Sequence, residues 1–388
     1  MTKTILPYST IGIIGGGQLA RMMCLAAKAM GYFTAVLDPT PNCPAGQVSD
    51  TEITAAYSDM AAIKRLAEIS DVITYEFENI DYNALAWLEK NAYLPQRSDV
   101  LKITQHRFFE KTAIKDMGIP AAEFTLINGE ASLKEHFFLP TVLKTTTLGY
   151  DGKGQKVIKS MDDLYDALTL AKKSECILEK WIPFDMEISV IIARSTLGET
   201  TVFPAAENIH VNNILHQSIV PARISKELEE KAYSYAQQIA EKLNIIGVMG
   251  VEMFVMGNDI YINELAPRPH NSGHYTIDAG ITSQFEQHVR AVCGLPLGST
   301  ALHSPVVMVN ILGEHMLAGD HLSSNSSGTR ENFNLEKFQP LLDKGKLHLY
   351  GKAEARVGRK MGHINMLGNI EDSLMTLEKS KIWSLNET

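Results

Sequence analysis

Gly149-Tyr150-Asp151-Gly152-Lys153-Gly154-Gln155 gathers three glycines and a lysine into one short stretch. The run before it, Pro140 to Thr147, is rich in β-branched residues and reads as a strand. The run after it, Gln155 to Lys159, reads as a second strand leading to a helix from Met161. Such a loop leaves backbone N–H groups bare where a side chain would block approach, so an anion can be cradled there. A Walker A loop would need Gly-Lys-Ser/Thr opening a helix, whereas Lys153-Gly154-Gln155 enters a strand. Two readings remain: a flap that folds over nucleotide phosphates, or a tight hairpin turn with no ligand. Lys144 and Lys153 favour the flap.

Downstream, Cys176 to Pro183 is a strand that Pro183 ends, and Glu187 to Ile192 is another with Glu187 at its head. Val248 to Met256 and Ile260 to Glu264 then read as a hairpin around Gly257-Asn258-Asp259. A three-residue loop sets Met256 opposite Ile260, Phe254 opposite Ile262 and Glu252 opposite Glu264. Opposed carboxylates, roughly 5 Å apart, repel unless something positive lies between them. Oxygen ligands at that spacing suit Mg²⁺, which also takes substrate phosphates, and apolar neighbours argue against solvated acids. A slip of one residue would break the pairing. The loop Ala266 to His274 follows, with Arg268 placed to hold an anion. His270 and His274 have the spacing of zinc ligands on a helix, but prolines interrupt that helix and no third ligand is evident.

Upstream, Thr104 opens a helix that stops near Gly118, carrying Arg107 either outward as a solvated cation or inward to a phosphate. The first hundred residues start with a strand, Thr10 to Ile14, then Gly15-Gly16-Gly17-Gln18-Leu19-Ala20, a helix to Met30 and a strand ending at Asp38. This matches the Gly-x-Gly-x-x-Ala dinucleotide fingerprint, with Asp38 where a ribose-binding acid would stand. Any doubly wound sheet that presents a helix N-terminus to an anion wants the same glycines. A helix from Asp59 to Ile69 and a strand from Val72 to Glu78 complete this part. Glu76 lies at that strand's C-terminal end, either facing a ligand or as a solvated edge acid. Near the other terminus, Lys352, Arg356, Arg359 and Lys360 form the densest basic cluster, read either as a solvated face or as a phosphate site. Ser323 to Gly328 is expected to be a loop.

The totals fit these parts. A chain of 388 residues, 45% hydrophobic and 21% charged, suits a globular protein of several packed units. A formal charge of −9 argues against a general nucleic-acid or membrane-surface binder. Cys24, Cys43, Cys176 and Cys293 form no Cys-x-x-Cys pair, which suits reduced thiols in the cytoplasm and no structural zinc. No signal peptide or membrane-length apolar run is found.

Glycine flap, paired acids and leading α/β unit together resemble the ATP-grasp superfamily. Within it, Gly15 to Met22, Tyr75 to Asn79, Gly149 to Gln155, Asn263 to His274 and Gly358 to His363 are similar, nearly end to end, to the motifs of one family. That family is the N5-carboxyaminoimidazole ribonucleotide synthetases, ATP-dependent carboxylases of de novo purine synthesis. Ala20 stands where a glycine is often seen, and the stretch after Gly368 carries no motif.

The resemblance implies an α/β and α+β chain: a Rossmann-like doubly wound domain over 1–100, an ATP-grasp domain over 101–300 with a lid at about 115–185, and a small β-rich domain over 301–388. It implies ATP contacts from Arg107, Lys144, the flap residues Gly149, Tyr150, Asp151, Gly152, Lys153, Gly154 and Gln155, then Glu179, Lys180, Trp181, Ile182, Glu187 and His210. It implies Mg²⁺, two ions, on Glu252 and Glu264 with Asn263 adjacent. Aminoimidazole ribonucleotide would meet Gly16, Gly17, Gln18, Leu19, Glu76, Tyr150, Asp151, Lys352, Arg359 and Lys360. Bicarbonate and carboxyphosphate would meet Arg268, His270 and Asn271, and Arg268, Lys352, Tyr150 and Asp151 would be catalytic. Homodimers are usual in the family. The alternatives are a formate-dependent glycinamide ribonucleotide transformylase or another ATP-grasp carboxylase, an NAD oxidoreductase, and a non-catalytic nucleotide binder.

Overall fold

Ile11 to Ile14 are buried without interruption, as an inner strand of a parallel sheet must be. The sheet order is β3 (Thr51–Thr54), β2 (Phe33–Asp38), β1 (Thr10–Ile14), β4 (Val72–Tyr75), all parallel. Helix Gln18–Ala29 covers one face through Leu19, Met22, Met23 and Ala27. Helices Met60–Glu68 and Tyr82–Asn91 cover the other through Ile63, Leu66, Leu85 and Leu88. The sheet is therefore doubly wound. The computed structural model describes residues 3–149, 152–316, 335–380 and 382. Tyr150, Asp151 and the loop expected over Ser323 to Gly328 lie outside the described residues.

A second sheet, β5 (Phe124–Ile127), β6 (Thr141–Thr145), β7 (Gln155–Ile158) and β8 (Cys176–Lys180), runs β5-β8-β6-β7. The glycine stretch joins β6 to β7, an antiparallel pair, so it is a loop between two strands as expected.

The third sheet is the largest. Its strands are β9 (Met186–Arg194), β10 (Thr200–Val202), β11 (Ala206–Val211), β12 (Ile214–Val220), β13 (Gly247–Met256) and β14 (Asp259–Ala266). It continues through β15 (Val306–Leu312), β16 (Gly345–Leu349) and β17 (Lys360–Leu367) in the order β14-β13-β9-β11-β12-β15-β17-β16, with β10 on β9. Helix Lys226–Lys242 starts at Ser225, whose hydroxyl accepts from the Leu228 amide. It lays Leu228, Ala232, Ala236 and Ile239, at helical spacing, onto β9 and β13. All four cysteines are free and buried.

Three local expectations are corrected. The strand expected to reach Glu78 ends at Tyr75, so both acids lie in the loop beyond it. Thr104 ends the helix Asp99–Thr104, and Arg107 opens a separate helix, Arg107–Asp116. In the β13–β14 hairpin Asp259 belongs to the strand, leaving a two-residue turn, so Met256 pairs with Asp259 and Phe254 with Tyr261. Glu252 still pairs with Glu264, because a bulge shifts the register between Glu252 and Met253.

His288 ties the first sheet to the third. The Val248 amide donates to its Nδ1 at 3.1 Å, so Nε2 carries the hydrogen and donates to Thr74 Oγ1 at 2.7 Å. Thr74 in turn donates to Gln96. Burial pushes the His288 pKa down to about 3. The unfolded chain takes up this proton near the ordinary value of about 6.5, so stability is lost as pH falls from there toward 3. His288 alone should contribute about 1.4 kcal/mol of loss per pH unit across that window. Urea midpoints measured across the window check this; a midpoint that stays level would mean that His288 is protonated in the folded chain.

Candidate active site

The glycines after β1 do not form an anion cradle of the dinucleotide type. Glu76 fills the place: it accepts from the Gly17 amide at 2.5 Å and the Ala20 amide at 2.8 Å, so the helix N-terminus already holds a carboxylate of the chain. A Cβ on Gly17 would lie 2.6 Å from Glu76 Oε1, and one on Gly16 would lie 2.7 Å from Asp38 Cβ. Asp38 takes the Gly16 amide and the Tyr57 hydroxyl on one oxygen and the Thr40 amide on the other. Both of its oxygens are engaged within the chain, which removes the basis for a ribose-binding acid. Glu76 is buried, not a solvated edge acid. Burial raises its pKa, against the opposing pull of the two amides and Arg268.

A cleft of about 930 Å³ runs between the three sheets. Every expected site residue that is described lines it: Gly16 to Leu19 and Glu76 at one end, the flap residues Gly149 and Gly152 to Gln155 above, and Lys352, Arg359 and Lys360 at the far side. Lys352 donates to the Lys360 carbonyl at 2.7 Å, and Arg359 to the Glu354 carbonyl at 2.8 Å. Arg356 is set apart from this group, exposed and paired with Glu354.

On the second sheet Lys144 of β6 bonds Glu179 Oε2 of β8 at 2.8 Å. Burial alone would raise the Glu179 carboxyl, but Lys111, Lys144 and Arg107 together bring it down to about 2. Its second oxygen, Oε1, is buried and makes no hydrogen bond. Lys180, Trp181 and Ile182 continue from it along the cleft, where Val142, Leu215 and Phe254 supply apolar surface. Glu187 lies 2.8 Å from His210 in an ion pair. Burial lowers His210, yet Glu187 outweighs it and the net shift is upward.

The paired acids stand at the centre, Glu264 beside an arginine and Glu252 beside a histidine. Arg107 Nη1 bonds Glu264 at 2.8 Å while Nη2 donates to the Gly149 carbonyl of the flap at 3.2 Å, so Arg107 points inward. His270 Nε2 lies 3.2 Å from Glu252 Oε1. Burial would raise Glu252, but His270, His210 and Lys360 draw it well down. Asn263 Nδ2 reaches Glu252 at 3.3 Å, while its Oδ1 is buried without a hydrogen bond. Two carboxylates and an orphaned amide oxygen form a hard-oxygen donor set that fits Mg²⁺. The two histidines with zinc-like spacing part company: His270 stands beside Glu252, while His274 is fully buried.

Arg268 pairs with Glu78 at 2.9 Å, and both side-chain ends of Asn271 are buried without hydrogen bonds. Sequence reasoning missed Glu78, Glu110 and Asn213, which also line the cleft. Glu78 was in a quoted motif but given no role. Asn213 packs against the flap on the turn between β11 and β12, where its backbone is left-handed at φ 62°; the Asn212-Asn213 pair, residues that tolerate that conformation, was the signal available in the sequence. Glu110 follows Arg107 by one helical turn, a spacing that sets both on one face.

Three family models match along the chain: a ribonucleotide synthetase preATP-grasp domain over residues 8–105, an ATP-grasp domain over 112–285, and a phosphoribosylaminoimidazole carboxylase C-terminal domain over 306–376. The N5-carboxyaminoimidazole ribonucleotide synthase of Bacillus subtilis is 52% identical over 377 residues, covering 96% of this chain and 95% of its own. That of Brucella melitensis is 43% identical over 376 residues, covering 95% and 99%. Among solved structures, an ADP complex of an N5-carboxyaminoimidazole ribonucleotide synthetase superposes with a TM-score of 0.92 at 57% identity, over 100% of both chains. An Aspergillus clavatus N5-carboxyaminoimidazole synthase in complex with ADP and 5-aminoimidazole ribonucleotide gives 0.86 at 30% identity, over 97% of this chain and 98% of that one. Among the described residues no helix is long and apolar enough to cross a membrane. Fold, cleft and relatives agree, and the chain belongs to the N5-carboxyaminoimidazole ribonucleotide synthase family of ATP-grasp ligases.

Proposed function

We propose that this chain carboxylates 5-aminoimidazole ribonucleotide to N5-carboxyaminoimidazole ribonucleotide in purine biosynthesis, using ATP and bicarbonate, with carboxyphosphate as the intermediate. The observation that carries the reading is the run of unsatisfied buried polar atoms along one cleft: Glu179 Oε1, Asn263 Oδ1 and both ends of Asn271. Most buried polar atoms in a folded protein are paired, so four that are not, on residues lining one cleft, fit a polar ligand there.

ATP lies with its ring against Glu179 to Ile182, its ribose near Glu187 and His210, and its phosphates under the flap, facing Lys144, Lys153 and Arg107. Glu252, Glu264 and Asn263 would hold two Mg²⁺ ions, which, when bound, offset phosphate charge. Arg268, His270 and Asn271 hold bicarbonate. Its oxygen attacks the γ-phosphorus, the bond to the β-phosphate oxygen breaks, and ADP leaves. The exocyclic amine of the ribonucleotide then takes the carboxyl carbon of carboxyphosphate, or CO₂ set free from it; phosphate leaves and the nitrogen gives up a proton. Arg268 faces the developing negative charge, with Lys352 at the phosphate end. Water must stay out, since carboxyphosphate hydrolyses. The flap serves this by resting on Asn213, to which Gln155 donates at 3.4 Å. Tyr150 and Asp151, which lie between Gly149 and Gly152 in the sequence, are assigned to the ribonucleotide on the same reading. A cytoplasmic homodimer belongs to it as well.

The test is phosphate release from ATP with bicarbonate and Mg²⁺, with and without aminoimidazole ribonucleotide. Strong acceleration by that acceptor is expected; equal acceleration by glycinamide ribonucleotide with formate would overturn the assignment. In the same assay Lys352→Ala should weaken the ribonucleotide alone, about ten- to a hundredfold, the worth of one hydrogen bond to a charged group. Lys352→Arg should recover part of that loss. A loss shared equally with ATP would place Lys352 outside the phosphate site.

A further inference from the structure

The β13–β14 hairpin poses a problem of register. Its two-residue turn sets a ladder in which Val255 meets Ile260 and Met253 meets Ile262. Continued without interruption, that ladder would set Glu252 against Asn263 and Glu264 against Val251. Neighbouring residues on a strand face opposite ways, so the two acids would then lie on opposite faces of the sheet. The bulge at this point inserts Asn263 as an extra residue and brings Glu264 opposite Glu252.

Lys111 sits where the bulge needs a partner. It is buried on the helix Arg107–Asp116, which flanks the edge strand β14. Its ammonium donates to the Ile262 carbonyl at 3.1 Å and to the Asn263 carbonyl at 2.8 Å. In a regular strand consecutive carbonyls point to opposite edges, so one ammonium cannot take both. Here the bulge turns both toward Lys111, while the Ile262 amide donates to the Pro120 carbonyl at 2.8 Å on the same edge. The third donor of the ammonium faces Glu179, at 3.9 Å, whose other oxygen holds Lys144 in the lid.

We propose that Lys111 is a positioning residue: it holds the bulge that sets Glu264 opposite Glu252, and it joins that acid pair to the nucleotide side of the lid. The metal role of the two acids rests on the function proposed above; the hold on the bulge does not. Lys111→Met keeps the length and apolar stem and removes the three donors. Hydrogen–deuterium exchange of the full chain, without nucleotide or metal, should quicken about ten- to a hundredfold over 247–266. Exchange over 10–75 should stay as it was. With Mg²⁺ and ATP, the apparent Mg²⁺ affinity should fall about ten- to a hundredfold, the usual cost of losing a group that orients metal ligands. The KM for the ribonucleotide should not move. Lys111→Gln, which keeps a donor in a smaller side chain, serves if the methionine variant does not fold, and should lie between the two in exchange. Unchanged exchange over 247–266, or an increase spread evenly over all three sheets, overturns the proposal. Because exchange is read without substrates, it stands whether or not the chain proves to be a carboxylase.

Discussion

Glu264→Gln is expected to lower turnover by about 10²–10³-fold, with Glu252→Gln close behind. The change keeps shape and removes one negative charge from the place where phosphate charge has to be balanced, an effect of that order in sites built on fixed charges. ADP formation at saturating Mg²⁺ measures it, and near-normal turnover of either variant would remove the acids from the metal role. Stability separates two accounts of the pair. Two carboxylates with nothing between them would repel, and neutralising one would then raise the melting temperature of the metal-free chain. The structure gives each acid its own nitrogen partner, Arg107 for Glu264 and His270 for Glu252. In Glu264→Gln the half-buried Arg107 loses its directly bonded counter-charge and keeps the Gly149 carbonyl. The metal-free variant should therefore melt lower, by an amount worth about 1 kcal/mol, between an exposed pair and a buried one. A higher melting temperature would restore the repulsion account.

Arg268→Ala should cost about as much in turnover, again roughly 10²–10³-fold, through loss of the group proposed to face charge on carboxyphosphate. ATP affinity should hold, since Lys144 and Glu179 lie on β6 and β8 of the second sheet, away from Arg268. Arg268→Lys should recover little, because an ammonium cannot reproduce the guanidinium fork. The variant also has a pH signature. Burial raises Glu78, and Arg268 is the main force opposing that rise. Without Arg268 the folded-state pKa of Glu78 climbs further above its unfolded value. A carboxyl with a raised pKa loses stabilisation as pH rises through the interval between the two values. The stability deficit of Arg268→Ala against the parent should therefore be small near about pH 5 and larger near about pH 8. Parallel melts at the two pH values decide it. A deficit that is the same at both pH values would mean that something other than Arg268 sets the protonation of Glu78.

Periodicity and turn chemistry made much of the architecture readable without coordinates. The strand–glycine–strand run at 140–159, the leading α/β unit and the hairpin at 247–266 follow from β-branched runs, glycines and alternation, which are local properties. The acid pair was legible too, although the route to it was wrong in one particular. A three-residue turn would have set Glu252 opposite Glu264; the chain instead uses a two-residue turn and restores the pairing with a bulge at Asn263. Nothing in the local pattern announces that bulge. Its carbonyls are met by Lys111, some 150 positions earlier, and a contact at that separation exists only once the helix and the edge strand pack. The same holds for Glu76 and Asp38: their neighbours in sequence allow a solvated acid or a ribose ligand. Only the folded sheet shows Glu76 on the Gly17 and Ala20 amides and Asp38 on Gly16. Residue types and short spacings determined which groups this chain can offer to a phosphate or a metal. Tertiary packing decided which of them face the cleft and which are occupied holding it together, because an acid's role depends on the partner that reaches it through space.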